Sequence, residues 1–185
     1  MEKALGAIEE SIAIKEKLKS EARYIEKASE IVVDAFKSGN KVLLCGNGGS
    51  AADAQHIAGE LVHKLAKRRK SLPAIALTTN TSLLTAISND DSYNEVFSRQ
   101  IEGIGRCGDV LVAISTSGNS PNVISAVARA KSLGMKTIGL CGSSGKLKDM
   151  VDVAIRVSST NTQRIQECHI LIGHIISEVV EDAFS

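Results

Sequence analysis

Aromatic residues make up only 3% of this 185-residue chain, and its formal net charge is +1. With neither a basic face nor a set of stacking rings, the chain is not expected to bind nucleic acid, and nothing draws it to an anionic membrane. No apolar run approaches the length of a membrane span. The opening residues, MEKALGAIEESIAIKEK, carry too many charges for the core of a secretory signal. The expected compartment is the cytoplasm. The four cysteines, Cys45, Cys107, Cys141 and Cys168, form no C-x-x-C pair, and three lie in or beside apolar runs. Reduced thiols are expected, mostly as small buried residues. There is no internal repeat, no low-complexity stretch and no composition break that marks a second domain. At 43% hydrophobic residues the chain can bury one substantial core, so a single domain over residues 1–185 is expected.

What is present is a rhythm. Up to about residue 38, apolar residues recur at helical spacing (Leu5, Ile8, Ile12, then Ile25, Ala28, Ile31, Val32, Ala35, Phe36), with a break near Ser20. Two helices are expected to precede the sheet. KVLLC (41–45) is short, apolar and enters a glycine-rich turn. LPAIAL (72–77), DVLVAI (109–114), KTIGLC (136–141) and VDVAIRV (151–157) repeat that pattern, with helix-like segments between. Continuous apolar strands joined by helical crossovers imply an α/β fold with an open five-stranded parallel sheet covered on both faces. A long amphipathic helix is expected over about 162–184.

Ligands of such sheets collect beyond the carboxyl ends of the strands, which directs attention to two loops. Ser115-Thr116-Ser117-Gly118-Asn119-Ser120-Pro121 sets four hydroxyls before a helix capped by Ser120 and begun by Pro121. A helix N-terminus among hydroxyls suits a phosphate dianion. The other loop, Gly46-Asn47-Gly48-Gly49-Ser50-Ala51, fits the relaxed dinucleotide pattern. The second strand, however, ends in LTTN without the acid a ribose needs, and the loop lacks the Gly-Lys-Ser/Thr ending of a nucleotide triphosphate site.

Just after that loop, His56 and Glu60 stand one helical turn apart on one face, close enough to share a metal or a substrate. Gln166, Glu167, Cys168, His169 and His174 stud an otherwise apolar C-terminal helix. A lone histidine there is ordinarily structural; several polar groups together with two phosphate-type loops make a site.

Taken in order, Gly46 to His56 with Glu60, Ser88-Asn89-Asp90, Ser115 to Ser120, and Arg164-Ile165-Gln166-Glu167 with His174 resemble the phosphoheptose isomerases. These are members of the sugar isomerase (SIS) family of sugar-phosphate-binding domains, and the resemblance covers nearly the whole chain. It implies a flavodoxin-like three-layer sandwich with N-terminal helices and a zinc-dependent homotetramer. The implied reaction is isomerisation of D-sedoheptulose 7-phosphate to D-glycero-D-manno-heptose 7-phosphate, for bacterial surface polysaccharide. Ser115, Thr116, Ser117 and Ser120 would hold the phosphate. Asn47, Gly48, Gly49, Ser50, Asn89, Asp90 and Gln166 would place the sugar beside Glu60. Glu60 and His174 would be the proton-transfer pair, and His56, Glu60, Gln166 and His174 the zinc ligands.

Helical geometry resists part of that assignment. Gln166 and His174 are eight residues apart, which on a straight helix is about 12 Å of rise and roughly 80° of rotation. Either both lean towards a metal between their levels, or the helix begins after Gln166, or the two serve a site shared by different subunits. Periodicity alone pairs Glu167 with His174. Two rival functions remain: a non-catalytic SIS-type protein that associates with the replication initiator, and another sugar-phosphate isomerase, since the fold does not choose a substrate. The presence of both Glu60 and His174 favours an enzyme.

Overall fold

The computed structural model describes all 185 residues. Two helices come first, α1 (Glu2–Leu18) and α2 (Ala22–Lys37), separated by a 3-10 turn at Lys19–Glu21, where the sequence pattern breaks. They differ in what they bury. α2 sinks Ile25, Ala28, Val32, Ala35 and Phe36 into the core, whereas α1 buries only Ile14 and Leu18 and leaves Leu5, Ile8 and Ile12 more than half exposed.

Then β1 (Val42–Cys45), α3 (Gly49–Val62), β2 (Ala74–Ala76), α4 (Thr81–Asp90), α5 (Ser98–Ile104), β3 (Val110–Ser115), α6 (Pro121–Ser132), β4 (Lys136–Cys141), the one-turn α7 (Leu147–Met150), β5 (Val153–Arg156) and α8 (Thr162–Phe184) follow in order. The five strands pair in parallel as β2-β1-β3-β4-β5. Alternation along each strand divides the core in two. Val42 and Leu44 of β1, with Val110, Val112 and Ile114 of β3, pack under α2, α3 and α8. Leu43, Cys45, Leu111 and Ala113 point to the other face, under α5 and α6. This is the expected three-layer sandwich. Cys45, Cys141 and Cys168 are buried and Cys107 is exposed, all as free thiols.

Strand order reverses at β1 and β3, so the loops leaving their carboxyl ends flank the crevice where this architecture binds ligands. On the face of the sheet covered by α2, α3 and α8, the helices α3 and α8 run side by side in the same direction. Gly49 meets Gln166, Ile57 closes on Gly173, and Glu60 reaches His174.

Candidate functional site

The loops at the crevice form a hydroxyl- and amide-lined cradle. Gly48, with φ of +55°, takes a conformation open to glycine and turns the chain from β1 into α3, while Ser50 lies buried in the first turn. In the second loop, Ser120 occupies the N-cap position of α6 with Pro121 behind it, as expected. Its hydroxyl, however, makes no capping bond and instead lies 2.9 Å from Ser115 Oγ, with Ser117 Oγ 3.5 Å from Ser115. The sequence pattern treats Ser120 as a conventional cap; the folded loop turns it inward, gathering three hydroxyls at a helix N-terminus.

An amide pair that the sequence did not single out ties the two loops together. Asn122, 2% exposed, exchanges two 2.9 Å hydrogen bonds with Asn47, and Tyr93 donates to the same Asn47 oxygen at 3.1 Å. Only the fold brings residues 47 and 122 together, and no local spacing announces it. Asn89 and Asp90 end α4, exposed, and are hydrogen-bonded to one another at 2.8 Å.

A second group lies two turns and more along α3. Glu60 Oε1 is 3.0 Å from His56 Nε2 and 3.3 Å from His174 Nε2, and the two imidazole nitrogens are 3.3 Å apart. Tetrahedral ligands held about 2.0–2.1 Å from a zinc ion stand about 3.3 Å from one another, so this near-equilateral triangle has the span of a zinc face. Glu60 Oε2 is buried with no hydrogen-bond partner, a state that a cation relieves. Asp53, one turn before His56, is another member that the sequence reading left without a role. Burial pushes its carboxyl up to about 6, while the nearby His56 pulls the other way.

Gln166 does not join the triangle within its own chain. Its amide packs on Gly49, where any Cβ would collide with it, so it belongs to the cradle end. Glu167 is likewise turned away from His174, bound to Arg164 at 2.7 Å and to Ser11 of α1 at 2.7 Å. From Gly49 to Glu60 is eleven residues, about 16 Å along α3. The residues expected to form one site therefore fall into two groups, the cradle at the carboxyl ends of the strands and the triangle towards their amino ends. His169 belongs to neither. It is fully buried, and burial lowers its pKa to about 4; the Cys141 backbone pulls it up slightly, although neither ring nitrogen completes a hydrogen bond.

An open parallel sheet with this cradle defines a sugar-phosphate-binding class, and comparison with known proteins agrees. Residues 8–142 match the SIS domain family. A phosphoheptose isomerase of Clostridium acetobutylicum is 54% identical over 94% of this chain and 91% of its own length. Solved phosphoheptose isomerases from Neisseria gonorrhoeae (TM-score 0.92, 43% identity, 98% of both chains) and Francisella tularensis (TM-score 0.94, 37% identity, 98% of this chain and 97% of that one) share the whole architecture. The chain belongs to the SIS domain family and, within it, to the phosphoheptose isomerases.

Proposed function

We propose that this single-domain protein is a cytoplasmic aldose–ketose isomerase that converts D-sedoheptulose 7-phosphate to D-glycero-D-manno-heptose 7-phosphate for surface-polysaccharide precursors. The carrying observation is the convergence on two imidazoles of a carboxylate that keeps one buried oxygen without a hydrogen-bond partner, in a chain that also builds a hydroxyl-lined cradle. Shifting a carbonyl from C2 to C1 needs a base for the carbon-bound proton, a group to carry protons between oxygens, and stabilisation of the enediolate. Glu60 takes the carbon proton. His174, whose imidazole can both donate and accept a proton, opens the ring and moves protons between the oxygens. Ser115, Thr116, Ser117 and Ser120 hold the phosphate. Asn47, steadied by Asn122, lies with Gly48, Gly49, Ser50, Asn89, Asp90 and Gln166 along the sugar. A zinc ion on His56, Glu60 and His174 would serve as Lewis acid for the two oxygens.

The distance between cradle and triangle supports a site completed between subunits. A site drawn from two protomers would let the cradle of one face the triangle of another, and would bring a neighbour's Gln166, which packs on Gly49 in its own chain, to that triangle. A homotetramer supplies such neighbours. Glu60→Gln preserves size but removes the base, so turnover should fall on the order of a hundredfold or more while phosphate binding persists. Proton NMR with sedoheptulose 7-phosphate in deuterated solvent reads both the new anomeric signal and exchange at C1. Normal turnover and exchange in the variant would remove Glu60 from the mechanism. A parent protein that forms no aldose would favour the binding-protein reading.

A further inference from the structure

The gap between α3 and α8 at the triangle is set by more than the three side chains in it. Seven residues beyond His174, on the same side of α8, Glu181 is 2% exposed. Its carboxylate accepts three successive backbone N–H groups of the segment after α3, Leu65 at 2.9 Å, Ala66 at 2.9 Å and Lys67 at 2.7 Å. Beside it lies the fully buried side chain of Arg69, with Nε 3.9 Å from Glu181. Arg69 in turn donates to the carbonyl of Glu60 at 2.7 Å and to that of Lys70 at 2.9 Å.

The Glu60 carbonyl is one of the last four of α3, which the helix itself cannot satisfy. A buried cation therefore caps the helix end at the residue whose side chain enters the triangle, and a buried anion on α8 holds both that cation and the loop carrying it. Through this loop the two helices are tied at the level where Glu60 must meet His174. The same loop walls an open pocket of about 400 Å³ next to His174.

We propose that Glu181 and Arg69 are positioning residues that fix the Glu60–His174 separation, acting through the α3 C-terminus rather than by touching the substrate. As a claim about turnover this rests on the catalytic reading of Glu60 and His174; as a claim about geometry it stands alone. Arg69→Lys keeps the charge but cannot cap Glu60 and Lys70 together, and Glu181→Gln keeps the shape but removes the charge. In the double variant Glu181→Gln/Arg69→Gln, no buried charge is left unpaired.

Groups that orient ligands typically cost on the order of 10–100-fold when altered. In Arg69→Lys, kcat and zinc affinity should therefore fall by about tenfold or more, with KM changing much less because the residues proposed to hold the phosphate are untouched. The ring signals of His56 and His174 should shift in NMR spectra. The double variant should recover thermal stability relative to Glu181→Gln, yet keep the low kcat. Parental kcat, zinc affinity and ring signals in folded Arg69→Lys would overturn the proposal, as would stability and kcat recovering together in the double variant. The ring signals test it even if the parent protein does not isomerise the sugar, and Arg69→Lys, which retains the buried charge beside Glu181, is the variant expected to fold where Glu181→Gln does not.

Discussion

His169 and Asp53 carry opposite signs into the acid stability of this fold. A histidine held neutral by burial, with its pKa at about 4, refuses a proton that the unfolded chain accepts from about pH 6.5 downwards. Its contribution is thus fully present above pH 6.5 and is lost as pH falls towards 4. For a group this deeply buried the loss is on the order of 3 kcal/mol. Asp53, held up at about 6, does the reverse: the folded state keeps a proton that the unfolded chain releases, so its contribution falls as pH rises through 6. Being only half-buried, Asp53 offsets part of the histidine effect. Urea midpoints between pH 7.5 and 4.5 should therefore decline towards acid, and His169→Leu should flatten that decline. A variant as acid-sensitive as the parent would show that His169 is not the responsible group.

At the scale of elements, the two loops of the cradle were the most legible part of the sequence. Glycines after an apolar strand, and hydroxyls before a proline, describe local backbone needs that spacing alone reveals. The same locality made the sheet readable: each strand is a short apolar run and each crossover an amphipathic one, so strand positions fell within two residues, and α8 began at Thr162 as expected. What the sequence could not show was long-range. The Asn47–Asn122 pair joins residues 75 apart, and the Glu181 carboxylate meets amides more than a hundred residues away. The inward turn of Ser120 was equally hidden, because a cap and a ligand-facing hydroxyl share one sequence signature. That turn yields a test. Ser120→Asp loses the hydroxyl contact with Ser115 but supplies a side chain able to cap at an N-terminus that favours negative charge, so stability should hold within about 1 kcal/mol. It also places a carboxylate beside Ser115, where a dianion would sit, so KM for the sugar phosphate should rise steeply. An unchanged KM would move the phosphate away from this loop.

At the scale of the whole molecule, several surfaces look unfinished. Leu5, Ile8 and Ile12 form an apolar stripe on α1, exposed at 54%, 56% and 56%, and α4 has no fully buried residue along its ten-residue length. Apolar helix surface of this kind is normally covered by other copies of the chain, and the proposed homotetramer would cover it. The separation of cradle from triangle adds a functional reason for assembly, and the two can be tested together. Glu60→Gln disables the triangle but leaves the cradle intact; Ser120→Asp does the opposite. If each site draws its cradle from one protomer and its triangle from another, co-expression of the two variants as mixed tetramers creates sites with both halves intact. With random mixing about a quarter of the sites should be whole, so turnover should return to about a quarter of the parental value although each variant alone is nearly inactive. Light scattering on the same samples should give four chains per particle. Sites contained within single protomers would leave the mixture as inactive as its components, and a stable monomer at micromolar concentration would remove the shared site altogether.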